Sequence, residues 1–143
     1  MSVPFVIQGD VFNDVRGAIG FCNDFDMREV RRMYYISPAS EKVIRAWQAH
    51  KKEKKWFLCT RGSVEVKLIK IDNFHNPSQN LPVTEFILHE DNLQILSVPG
   101  GFAIGIRTFT PDAKLHVYSN FTLKESINDD YRYDKDTWNV WAK

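Results

Sequence analysis

The sequence predicts an all-β fold, a single antiparallel barrel or sandwich over residues 1–143, and three observations carry that expectation. From Val30 onward, β-rich runs of five to nine residues recur at even spacing between turn signals. Helical periodicity is scarce, and 143 residues suit one core with little room for a second. Hydrophobic content of 43% and aromatic content of 13% supply the apolar surface that such a core needs.

The predicted strands are Arg31–Ile36, Ile44–His50, Lys55–Thr60, Ser63–Ile71, Thr84–Leu88, Leu93–Val98, Ala103–Phe109 and Lys114–Phe121. Before them, Asp14 to Gly17 and Phe21 to Asp26 read as an edge hairpin or an arm. Thr60-Arg61-Gly62-Ser63 is expected to close a hairpin, with glycine supplying a backbone angle that other residues resist. Val64, Val66 and Leu68 alternate with Ser63, Glu65, Lys67 and Ile69, which predicts one buried and one largely wet face. Asp72 to Pro82 is a polar surface loop, and Pro99-Gly100-Gly101 is a tight corner. Ser126 to Trp138, acidic and aromatic, reads as a short helix or a packed tail.

Charge and cysteine usage exclude several classes. With 19 basic and 18 acidic residues the net charge is +1, so no global field favours nucleic acid or an anionic membrane. The run Lys51, Lys52, Lys54 and Lys55 reads as a solvated turn, and His75 and His89 fall in or beside loops. Cys22 and Cys59 stand far apart with no metal or redox spacing, and neither a leader segment nor a membrane-length apolar run is evident. The expectation is a reduced, cytoplasmic protein that binds neither nucleic acid nor membrane.

The informative stretch runs from Ile44 to Gly62. Its spacing resembles the first cupin motif, in which His-x-His is followed by Glu and then Gly, with Gln48, His50, Lys55 and Gly62 in those seats. The second cupin motif, Pro-x-Gly-x-x-His, is matched by Pro99 to Ile104, with Ile104 in the last ligand's seat. Three of the four ligand seats therefore hold other residues. A divalent cation favours imidazole and carboxylate donors over an ammonium, so no metal is expected.

A narrower resemblance, from about Asp14 to Trp138, is to the RmlC-like dTDP-4-dehydrorhamnose 3,5-epimerases and to the dTDP-4-keto-6-deoxyglucose 3,4-ketoisomerases of FdtA/QdtA and WxcM-like type. It rests on Asp14-Val15-Arg16-Gly17, Arg32-Met33-Tyr34-Tyr35-Ile36, Arg45 to His50, Lys55 before Cys59-Thr60-Arg61-Gly62, and Pro99 to Gly105. The resemblance implies a cupin jelly roll of eight to ten strands, a homodimer exchanging N-terminal strands, and proton transfer beside the ketone of a nucleotide-linked sugar for surface polysaccharide synthesis. It implies no cofactor. Gln48 replaces the family's first catalytic histidine, and an amide cannot take up a proton at neutral pH.

Removing a proton beside a ketone requires a base, a group that stabilises the enolate oxygen, and an acid. The candidates are His50 or His116 as base, Lys55 as the cation at the enolate, and Tyr34 or Tyr118 as acid. His50 shares the strand face of Gln48, and Tyr118 that of His116, with both pairs expected to meet across one cavity. Arg16 and Arg45 suit a diphosphate, because guanidinium groups bind phosphate oxygens in pairs, and the strand exchange that the resemblance implies would bring Arg16 to the partner's cavity. Gln48, Trp47 and Phe21 complete the candidate substrate contacts. The rival expectation is a catalytically inactive cupin that binds a nucleotide sugar.

Overall fold

The computed structural model describes residues 2–141. It consists of two five-stranded antiparallel sheets and a two-stranded arm. The strands are β1 (Phe5–Gln8), β2 (Asp10–Asp14), β3 (Gly17–Phe21), β4 (Arg32–Ile36), β5 (Ile44–His50), β6 (Lys55–Arg61), β7 (Ser63–Lys70), β8 (Val83–His89), β9 (Gln94–Val98), β10 (Phe102–Thr108), β11 (Lys114–Ser119) and β12 (Tyr131–Arg132), with helix α1 over Leu123–Ile127. One sheet is ordered β1-β9-β6-β11-β4 and the other β12-β5-β10-β7-β8. Together they enclose a core of Phe57, Val66, Leu68, Leu96, Leu115 and Val117, so strands that alternate inward and outward build a jelly roll. Among the described residues no helix is long and apolar enough to cross a membrane.

Each expected strand is present with ends shifted by at most two residues; β1, which pairs with β9, and β12, which pairs with β5, are strands that the sequence reading lacked. Two expectations are corrected. Lys55–Arg61 and Ser63–Lys70 do not form a hairpin, because β6 and β7 lie in opposite sheets. Gly62 is a corner between sheets at φ 72°, where a Cβ would stand 2.0 Å from the Thr110 hydroxyl. The face of β7 expected to be wet is buried. Glu65, Lys67 and Ile69 are 5%, 4% and 0% exposed, because the chain from Tyr131 to Trp141 straps across that side.

The strap explains how two charges are tolerated there. Lys67 Nζ donates to Glu85 at 2.7 Å and to the Val140 carbonyl at 2.7 Å, and Arg107 donates to Glu65 at 2.7 Å. Buried charges are otherwise costly, and these are paired. Helix α1 starts at Thr122, whose hydroxyl accepts from the Glu125 amide while the Glu125 carboxylate accepts from the Thr122 amide. The helix therefore begins three residues earlier than the sequence suggested, and the rest of the acidic segment packs as a tail.

Candidate active site

The inner faces of β4, β5, β6 and β10 border a cavity of about 1180 Å³, closed on one side by α1 and the residues that follow it. Strand β4 sends Arg32 and Tyr34 inward while Met33 and Tyr35 face out. Strand β5 carries a bulge: Ile104 of β10 is opposite Gln48 whereas Ile106 is opposite Arg45. The extra residue brings Arg45 and Gln48, three apart, onto the cavity side. Lys55 enters from β6, and the pairing of Tyr131 and Arg132 with Ala49 and Gln48 brings Asp130 and Arg132 to the rim.

Lys55 is the centre of this arrangement. It is 3% exposed, and its Nζ donates to Gln48 Oε1 at 3.1 Å. Gln48 Nε2 in turn donates to Asp130 at 3.2 Å, and Asp130 also accepts from Arg132 Nε at 2.8 Å. Burial lowers the Lys55 pKa from 10.5 to about 8, with Arg32 and Arg132 adding to the fall and Glu53 and Asp130 opposing it. Tyr34 stands with its ring 5.8 Å from Lys55 Nζ and 5.2 Å from the Arg32 guanidinium. Burial raises its phenol pKa, which keeps the hydroxyl a proton donor.

His50 shares the inward face of Gln48, as alternation requires, but lies outside the cavity wall at 2% exposure. Its Nδ1 is 2.5 Å from the Asp129 carbonyl oxygen, which can only accept, so Nδ1 carries the hydrogen and Nε2 is the bare nitrogen. Nε2 is buried without a partner among the described residues. Burial lowers the His50 pKa, the Lys55 charge adds to this, and the ring stays neutral. Beside it the fully buried Glu53 accepts from Ser119 at 2.5 Å, Ser126 at 2.6 Å and Arg32 at 3.2 Å. The Asp129 carboxylate accepts from the backbone amides of Lys51, Lys52 and Glu53, which fixes the turn between β5 and β6.

Of the residues proposed from sequence, the structure gathers Tyr34, Arg45, Trp47, Gln48 and Lys55 around one cavity. The others lie elsewhere. His116 and Tyr118 are on the outer face of their sheet, because Leu115 and Val117 take the inward positions of β11; His116 stacks on Tyr35, and Tyr118 on Phe25. The Trp47 ring packs against Trp138 and Trp141 behind β5, with Nε1 donating to the Lys135 carbonyl at 3.2 Å. Trp47 thus borders the cavity while its indole sits in the cluster behind β5. Arg16 is at the tip of the β2–β3 arm, paired with Asp14, and Phe21 is at the arm's base. Neither reaches the cavity of its own chain.

Arg32, Glu53, Asp129, Asp130 and Arg132 were missed. Arg32 had a usable signal, since it alternates with Tyr34 on a predicted strand. The acidic pair had none, because its position depends on a tail folding back. The donor set at the former ligand seats is Gln48, His50, Lys55 and Ile104, whose one imidazole is tied to Asp129. Among the described residues no group of three or more His, Cys, Asp or Glu is placed to hold a metal.

The fold is similar to those of several solved structures. A 3,4-ketoisomerase from Helicobacter canadensis aligns with a TM-score of 0.70 and 23% identity, covering 94% of this chain and 93% of that one. A histidine-to-asparagine mutant of the 3,4-ketoisomerase QdtA from Thermoanaerobacterium thermosaccharolyticum, in complex with TDP-4-keto-6-deoxyglucose, aligns at 0.69 and 21% identity, covering 94% and 90%. The dTDP-4-dehydrorhamnose 3,5-epimerase of Bacillus anthracis, with TDP and PPi bound, aligns at 0.72 and 18%, covering 97% and 86%. No curated protein matches the sequence. The family model described as "FdtA: WxcM-like, C-terminal" matches residues 5–143, and the chain belongs to that family.

Proposed function

We propose that this protein is a nucleotide-sugar isomerase or epimerase that moves a proton beside the ketone of a dTDP-4-keto-6-deoxyhexose-type substrate. The observation that carries the reading is the cavity's charge: Arg32, Arg45, Lys55 and Arg132 line it against the single carboxylate of Asp130. That surplus of cations suits a diphosphate, and guanidinium groups bind its oxygens in pairs. The volume of about 1180 Å³ is somewhat above the usual range of small-molecule sites, about 300–1,000 Å³, and suits a nucleotide with its sugar. Tyr34, whose hydroxyl has no protein partner among the described residues, supplies a proton donor at the same wall. The cavity's own residues supply the chemistry without a cofactor.

A homodimer fits this reading. The β2–β3 arm exposes Val11, Phe12, Ile19 and Phe21, and an isolated two-stranded ribbon is marginal in water. A second copy would cover it and receive Arg16 beside its own cavity. Free Cys22 and Cys59 favour the cytoplasm, where such sugars would be made ready for surface polysaccharide.

Gln48 favours a second reading, a barrel that binds a nucleotide sugar without transforming it. Incubation with dTDP-4-keto-6-deoxyglucose in heavy water separates the two. Deuterium entering the sugar at a carbon beside the ketone is the expected result, and tight binding with no exchange overturns the catalytic reading.

A further inference from the structure

Resting on that catalytic reading, we infer that Lys55 is the base of the reaction, and that Gln48 is a positioning residue holding its amine toward the substrate. Arginine does not give up its proton in proteins, so Arg32, Arg45 and Arg132 serve as anion contacts. Asp130 is an anion held by Arg132 and Gln48, and those bonds lower its pKa and weaken it as a base. Tyr34 is a donor. His50 is outside the wall, and His116 is on the opposite face of its sheet.

That leaves an amine with a free lone pair whenever it is neutral. The groups facing it are Arg32 and Tyr34 from β4, Gln48 and His50 from β5, Glu53 from the turn before β6, and Asp130 and Arg132 from the segment after α1. With its pKa near 8, roughly a tenth of Lys55 is neutral at pH 7. The direct contact matters most. A carboxylate in the seat of Gln48 would hold Lys55 as an ammonium, whereas an amide oxygen accepts equally from an amine. Donation from Gln48 Nε2 to Asp130 turns Oε1 toward Lys55, so the amide's orientation follows from its two partners. The nearby carboxylate, Glu53, is already occupied by Ser119, Ser126 and Arg32.

In the resulting step Nζ takes the hydrogen from the carbon beside the ketone. The C–H electron pair becomes the C=C bond of an enolate, and the carbonyl pair moves to oxygen, where the Tyr34 hydroxyl donates a hydrogen bond. Delivery of a solvent proton to the same carbon from the other side, with Lys55 passing its own proton back to solvent, completes an epimerisation. Return of the proton to the former carbonyl carbon, with the neighbouring hydroxyl passing its proton to the enolate oxygen, completes a keto-isomerisation. Neither path changes the overall charge or the oxidation level.

The test measures deuterium exchange into dTDP-4-keto-6-deoxyglucose from pH 6 to 9.5, together with dTDP affinity by calorimetry. Wild-type exchange is expected to rise about tenfold per pH unit and to level near 8. Lys55→Arg and Lys55→Met should both bind dTDP and lose exchange by at least about 100-fold. Gln48→Glu should move the profile upward by about one unit or more and lower exchange about tenfold at pH 7. Exchange that survives in Lys55→Arg shows that a cation suffices and overturns the assignment alone, as does a wild-type profile that levels near 6.5, where a histidine would titrate. A wild type that binds but never exchanges overturns the assignment together with the catalytic reading.

Discussion

Lys55 carries a cost that its surroundings only partly offset. Its pKa of about 8 in the fold is below the 10.5 of the unfolded chain, so between those values the unfolded state holds more protons and stability rises with pH. Below pH 8 the full penalty applies, about 3 kcal/mol at 1.36 kcal/mol per unit. Lys55→Met removes that penalty and leaves Gln48 Oε1 without its donor. The expected net gain is about 1 kcal/mol at pH 7, read as a rise in Tm of about 3 °C, with the gain shrinking by pH 10. An unchanged or lower Tm would mean that the amine stabilises the fold. The residues legible in the sequence, Tyr34, Arg45, Gln48 and Lys55, are those held by one strand's own periodicity or by a spaced motif. Glu53 interrupts a lysine run that reads as solvated, and its burial depends on hydroxyls from Ser119 and Ser126 that local sequence does not connect to it.

Strands were legible because alternation and turn residues are local; partners between strands were not. The Thr60 to Ser63 turn has the composition of a hairpin, yet the chain changes sheets there, and what decides is the long-range pairing of β6 with β9 and β11. Gly62 is held by a bond from its amide to Glu90 at 2.6 Å. Gly62→Ala should therefore cost more than the ordinary glycine-to-alanine change, about 2 kcal/mol or more, because it adds both a strained φ and a clash with Thr110. Urea denaturation checks this, and a loss below about 0.5 kcal/mol would show that the corner yields. The bulge in β5 was equally hidden. Strict alternation would put Arg45 and Gln48 on opposite faces, and the one added residue is what makes them neighbours across the cavity.

At the scale of the molecule, the outward arm and the exposed Met33 and Tyr35 leave apolar surface that one chain does not cover. If a second copy covers it, Tm should rise with protein concentration and removal of residues 10–21 should give a monomer by light scattering. A monomeric wild type at micromolar concentration would sink the dimer. The segment from Ser119 to Trp141 unites the two sides of the barrel. Its first half supplies Ser119, Ser126 and Asp129 to the interior and Asp130 and Arg132 to the cavity rim, and its second half lays Trp138 and Trp141 against Trp47 on the outside. Trp47 and Gln48 are adjacent, one facing each way, so a ligand that pulls on Asp130 or Arg132 tugs the same ribbon of backbone that seats the indoles. The protein thus contains its own optical gauge: dTDP titration should alter tryptophan emission, and Trp141→Phe should dim the signal without moving its midpoint.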